Sequence, residues 1–155
     1  PPSCGSAPRY WWETLSGSFN AGLWNQIARN AIATHGLDEA TSARLLAQLH
    51  MAGVDSNVAC HDSKYVYWVP RPTQMDPDIR LAIAVPNHPS YPSNHACISG
   101  AIGLVLDTWF PDQNGLYWAM SREAGESRIS SSASPKAECM EVLGHALGPD
   151  GLGVR

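Results

Sequence analysis

Six of the chain's twelve prolines lie between positions 70 and 92, at Pro70, Pro72, Pro77, Pro86, Pro89 and Pro92. Each removes a backbone donor and pushes the preceding residue out of the helical region, so neither a continuous helix nor a central strand survives there. The stretch is therefore read as a long irregular connection. Such connections are uncommon in a compact domain unless they line a site, so function is expected where this one meets its neighbours.

Both flanks read as helices. Upstream, Leu23, Ile27 and Ala31 recur at steps of four with Gly36 beyond them, which predicts a helix over about 23–34 with a glycine stop. Asp38 then offers an N-cap to a longer helix, with Leu45, Leu49 and Ala52 on one row and Met51, Val54 and Val58 on a neighbouring row. It runs to Lys64 or Tyr67, before Pro70 ends it. Downstream, Ser93 is a good N-cap for a helix over 95–109 closed by Phe110-Pro111. Two more helices are predicted, over about 115–128 and 136–147, the last ended by Gly148-Pro149. Strand alternation is weak throughout, so the expected fold class is all-α, a helical bundle.

The length of 155 residues, with 44% hydrophobic and 15% charged, suits one domain with a real core, preceded by a Pro-, Ser- and Gly-rich arm over Pro1–Pro8. A net charge of -4 and ten scattered Lys and Arg argue against a nucleic-acid partner, since phosphate-backbone binding relies on clustered cations. The longest apolar run, Ala96 to Leu106, falls well short of the roughly 20 residues that cross a bilayer, so no membrane partner is expected. Cys4, Cys60, Cys97 and Cys139 are far apart and lack metal-ligand spacing. They read as buried small hydrophobes or free thiols, and leave the compartment open. The chain starts at Pro1 and shows no basic segment followed by an apolar one, so it carries no secretory signal of its own; removal of a leader and a fragment of a longer chain both remain open. Trp11, Trp12, Trp24 and Trp118 are expected in the core or at an interface rather than as substrate platforms, and a homo-oligomer stays open.

Three clusters adjoin the proline-broken connection. The first is Lys64, six residues, then Arg71-Pro72. Solvated cations are the plain alternative, but the pair flanks Tyr65, Tyr67 and Trp68, an aromatic stretch expected to be at least half buried. Buried cations need an anionic partner, and with no carboxylate between them an external oxyanion is a candidate. The second is Pro92-Ser93-Asn94-His95. A helix starting there aims free N–H groups and its positive dipole end at one spot, and His95 in the first turn suits acid–base chemistry as well as simple packing. The third is Ser127-Arg128, informative only in combination. An arginine fork matches tetrahedral oxyanions better than lysine does.

In this order the clusters resemble the motifs of the vanadium-dependent haloperoxidase and type 2 phosphatidic acid phosphatase superfamily: Lys-x6-Arg-Pro, Pro-Ser-Gly-His, and Ser-Arg-x5-His-x3-Asp. Lys64, Arg71 and Pro72 match the first in full, and Pro92, Ser93 and His95 match the second, with Asn94 in place of glycine. A positive φ at that position would suit asparagine less well. The segments LLAQLHMAGVDSNVACHDSKYVYWVPRP and HPSYPSNHACISGA are similar to those of soluble bacterial haloperoxidase-like members, and the likeness spans about Trp24 to Ile129.

The resemblance implies a helical bundle of that type whose site binds vanadate or phosphate. Lys64, Arg71 and Arg128 would hold the oxyanion, Ser93 and the Asn94 amide would add hydrogen bonds, and His95 would be the acid–base group. With vanadate as cofactor the partners would be hydrogen peroxide and a halide; otherwise a small phosphomonoester would be the substrate. The family's second histidine, which binds vanadium or attacks phosphorus, has no counterpart here. Its position falls on Ser134, with Glu138 for the family's Asp, or on Lys136 in a different alignment. Three accounts stay open: an oxyanion-binding relative without turnover, His145 as a substitute ligand, or a truncated or frame-shifted C-terminal sequence.

Overall fold

The computed structural model describes residues 21–79 and 86–126. They form helices α1 (Ala21–His35), α2 (Glu39–Tyr67), α3 (Pro72–Met75), α4 (Asn94–Trp109) and α5 (Leu116–Glu126), with a 3-10 turn at Pro111–Gln113, and no strand among the described residues. The fold is all-α. The helix predicted over 136–147, the arm over Pro1–Pro8, and Trp11 and Trp12 lie outside the described residues.

Local chemistry sets the helix ends. Gly36, at φ 62°, lets the chain reverse. The Leu37 N–H then reaches the Ile32 carbonyl at 3.2 Å and the Gly36 N–H reaches that of Ala33 at 3.3 Å, which satisfies two carbonyls the helix end would leave open. Asp38 caps α2 by accepting from the Thr41 N–H at 2.8 Å. The far end of α2 stops at Trp68, which takes a left-handed conformation and donates to the Lys64 carbonyl, two residues ahead of Pro70. The proline-broken connection is not wholly irregular. Pro72 opens the single turn α3, and Gln74 Oε1 accepts the Arg71 N–H at 2.7 Å.

Helix α4 is the centre of the bundle. The Trp109 indole donates to Gln48 at 2.7 Å, and a Cβ on Gly53 would sit 3.2 Å from Ile102, so α2 runs antiparallel to α4. On another face Gly103 meets Ser121, and Gly125 meets Ala96, so α5 is also antiparallel to α4. The Asp107 carboxylate accepts the N–H groups of Tyr117 and Trp118 at 3.2 and 2.9 Å, supplying acceptors to the first turn of α5. Fully buried Trp24 anchors α1, donating its indole N–H to Ser99 Oγ of α4 at 3.0 Å. The core joins Leu23, Trp24, Leu45, Leu49, Ile98, Ile102, Leu106 and Phe110.

The face that α2 buries differs from expectation. Its buried residues are Leu45, Leu49, Gly53, Cys60 and Lys64, one stripe at helical spacing, whereas Met51, Val54 and Val58 are exposed. One stripe suffices because α2 packs along α4 on that side alone, and a second apolar row finds no helix opposite it among the described residues. Tyr65, Tyr67 and Trp68, expected to be half buried, are 51%, 59% and 66% exposed. They lie past the end of that contact, where Tyr65 packs on Trp68 and Tyr67 edge-on to Tyr91. Trp118 is partly exposed. No helix of the described residues is long and apolar enough to cross a membrane.

Candidate functional site

The buried stripe of α2 ends in a lysine. Lys64 stands four residues after Cys60 on the inward row, and helical geometry carries it inside to 1% exposure. Its ammonium donates to the carbonyls of Pro89 and Ser90 at 2.8 and 3.1 Å. Ion pairs among the described residues join His35 to Asp112 and Arg122 to Glu126, so no described carboxylate neutralises Lys64. Burial pushes its pKa down to about 8. The nearby Arg71 charge contributes to that lowering, while Cys60 and Cys97 oppose it.

Arg71 reaches the same loop. Its Nε donates to the His88 carbonyl at 2.9 Å, and Nη2 lies 3.0 Å from His88 Nδ1. The same Nδ1 lies 3.1 Å from the Pro89 carbonyl, so it faces a donor on one side and an acceptor on the other. Burial holds His88 below the usual histidine range, assisted by the charges of Lys64 and Arg71 and opposed by the Pro89 carbonyl. Two cations thus grip three consecutive carbonyls, of His88, Pro89 and Ser90. The Ser90 N–H returns to the Val69 carbonyl at 2.9 Å.

The loop delivers the chain into α4. Ser93 caps the helix, its hydroxyl oxygen accepting the Ala96 N–H at 3.4 Å. Asn94 opens the helix and is not among the residues with positive φ, so asparagine in the glycine position costs no backbone strain. Its side chain turns toward α2, where Nδ2 lies 3.2 Å from His61 Nε2 and 3.4 Å from Asn57 Oδ1, and Oδ1 accepts from the Cys60 thiol at 3.3 Å. His95, half buried, follows in the same turn.

Lys64, Arg71, Ser93 and Asn94 therefore gather around the 86–92 loop, with His95 on the adjoining turn. Arg128, Ser134, Lys136, Glu138 and His145 lie outside the described residues. The chain matches no protein-family model, no curated protein and no solved structure.

Sequence reasoning missed His61, His88 and the meeting of Cys60 with α4. His61 and His88 stack edge-on at 5.3 Å, and both approach the cations or Asn94. One signal existed for His61: it falls three residues before Lys64 and one after Cys60, at the border of the inward stripe. His88 had none, because the fold of the loop places it. Among the described residues no group of three or more His, Cys, Asp or Glu side chains is arranged to hold a metal ion.

Proposed function

We propose that the chain is an oxyanion-binding enzyme domain of the vanadium-dependent haloperoxidase and type 2 phosphatidic acid phosphatase kind, leaning toward the haloperoxidase branch. One observation carries the reading. A lysine without a carboxylate partner among the described residues is buried next to an arginine, at the mouth of a helix whose N-terminus bears Ser93, Asn94 and His95. Cations held close together repel, as the Arg71 contribution to the lowered Lys64 pKa reflects. An anion between them removes that repulsion and offsets part of the desolvation cost.

The groups suit vanadate or phosphate, because they are N–H and O–H donors drawn from three segments rather than carboxylates. Two of the three Lys64 N–H groups go to loop carbonyls, leaving one for an anion oxygen. Arg71, the Ser93 hydroxyl and the Asn94 amide would complete the cradle, Arg128 would join it on the motif resemblance alone, and His95 would transfer the proton. Bound vanadate would supply peroxide activation for halide oxidation; a bound phosphomonoester would instead be the substrate, with His95 protonating the leaving oxygen. The ligating or attacking histidine of this chemistry has no counterpart at Ser134 or Lys136.

A second reading is favoured by the contacts themselves. Lys64 and Arg71 spend donors on backbone carbonyls of the loop, so a domain that binds the oxyanion without turning it over also accounts for them. Purified protein, with and without orthovanadate, assayed for bromide oxidation by peroxide and for phosphomonoester hydrolysis, separates the two. Activity lost in His95→Ala and Arg71→Ala supports the enzyme. A melting temperature raised by vanadate or phosphate without either reaction leaves binding alone, and no response to either anion removes the site.

A further inference from the structure

Cys60 and Cys97 are far apart in sequence but level in space. The Gln48–Trp109 contact fixes the antiparallel register of α2 and α4. Twelve residues forward from Gln48 is Cys60, and twelve back from Trp109 is Cys97. Side-chain contacts agree, since the Cys60 thiol touches Asn94 Oδ1 at 3.3 Å and the Pro92 carbonyl at 3.8 Å, and Cys97 stands one turn beyond Asn94 on the same face. The two thiols also act on one another, each shifting the titration of its neighbour in the opposite direction. Both are free thiols; Cys60 is buried and Cys97 is half buried.

We infer that Cys60 and Cys97 form a reversible redox pair, closing a disulfide between α2 and α4 when the protein meets hydrogen peroxide or a small-molecule disulfide. Their environments divide the work. Cys97 is held below the usual thiol range, first by the neighbouring Cys60 thiol and then by the Lys64 charge, whereas Cys60 is pushed upward by its Cys97 neighbour and by burial. Cys97 is thus the attacking thiolate and Cys60 the resolving thiol. With peroxide, the Cys97 sulfur attacks one oxygen, the O–O bond breaks, and the sulfenic acid forms with release of water. The Cys60 sulfur then attacks the Cys97 sulfur, the S–O bond breaks, and the hydroxyl leaves as a second water with the Cys60 proton. Overall two thiols lose two electrons and two protons to one peroxide. With a small disulfide, two exchange steps reach the same bond and release two small thiols. The inference does not rest on the oxyanion reading.

The bond would tie the first turn of α4 to α2 beside Lys64 and remove the thiol donor from Asn94 Oδ1. The test uses the full chain carrying Cys4→Ser and Cys139→Ser, treated with hydrogen peroxide or oxidised glutathione. Two thiols should disappear from a monomer whose mass falls by two hydrogen atoms. A Cys60–Cys97 linked peptide should appear, and dithiothreitol should reverse the change. The melting temperature should rise by roughly 5 °C or more. Adding Cys60→Ser should strand Cys97 as a trappable sulfenic acid or a glutathione adduct. Two thiols surviving treatment, covalent dimers in place of the internal bond, or Cys97 advancing to sulfinic acid while Cys60 is intact would each overturn the proposal. Peptide mapping of the unsubstituted chain decides the matter if the serine substitutions prevent folding.

Discussion

Lys64 concentrates both the cost and the use of this architecture. Removing an ammonium from water is unfavourable, and two backbone carbonyls return only part of the lost hydration. The consequence is a pH dependence of known sign. Between pH 8 and 10.5 the unfolded chain keeps the Lys64 proton and the folded chain gives it up, so stability rises with pH across that window. Below pH 8 both states are protonated and the penalty is constant, on the order of 3 kcal/mol. Denaturant unfolding at pH 7.5 and pH 10.5 should show the wild-type stability rising relative to Lys64→Met; a constant difference would mean that Lys64 is solvated. The Lys64, Arg71 and Pro72 spacing was legible as a sequence pattern. The burial of Lys64 was also deducible, because the inward row of Leu45, Leu49 and Cys60 runs through it. The neighbouring aromatics are no guide to it, because they lie outside. His88 was out of reach, since its place depends on how cations fold a proline-rich loop.

At the scale of elements, α4 is held on both sides by closeness of backbone. A methyl group on Gly103 would overlap Ser121 Oγ and come within 2.8 Å of the Tyr117 carbonyl, and the latter is backbone that cannot rotate away. Gly103→Ala should therefore destabilise the protein by about 1–3 kcal/mol in chemical denaturation, even though alanine favours a helix. An unchanged midpoint would show that α4 and α5 do not approach closely at Gly103. The end of α1 carries a second electrostatic device. The fold pairs His35 with a carboxylate far away in sequence, bringing Asp112 of the 3-10 turn to 3.1 Å from its Nε2 while Nδ1 lies against the Ala31 carbonyl. The Ala31 carbonyl, then Asp112, raise the His35 pKa above 6.5. The pair therefore stabilises the fold fully below that value and loses its effect as pH rises through the raised one. The melting-temperature gap between wild type and His35→Gln should be wider at pH 5.5 than at pH 8.5. Helix ends were readable because Gly36, Asp38 and Ser93 act locally. The contact of Cys60 with α4, and the exposure of Met51, Val54 and Val58, depend on which helix lies opposite, and spacing within one helix cannot say that.

For the molecule as a whole, the described end of the proline-broken connection, residues 86–92, links α2 to α4. Residues 86–92 are fastened to the end of α2 by Lys64 and Arg71, and they set the entry of α4 so that Ser93, Asn94 and His95 stand beside those cations. This arrangement concentrates positive charge on an acidic chain of net charge -4, which is physically reasonable if an anion completes it. Isothermal titration with orthovanadate and with inorganic phosphate at pH 8, in two buffers of different ionisation enthalpy, tests that claim most directly. Saturable binding with proton uptake is expected, because an anion beside Lys64 raises its pKa from about 8. Binding should be roughly 10- to 100-fold weaker in Arg71→Ala, from the loss of a charge-assisted hydrogen bond. Absence of binding by the wild type, or equal affinity in Arg71→Ala with no proton taken up, would contradict the claim.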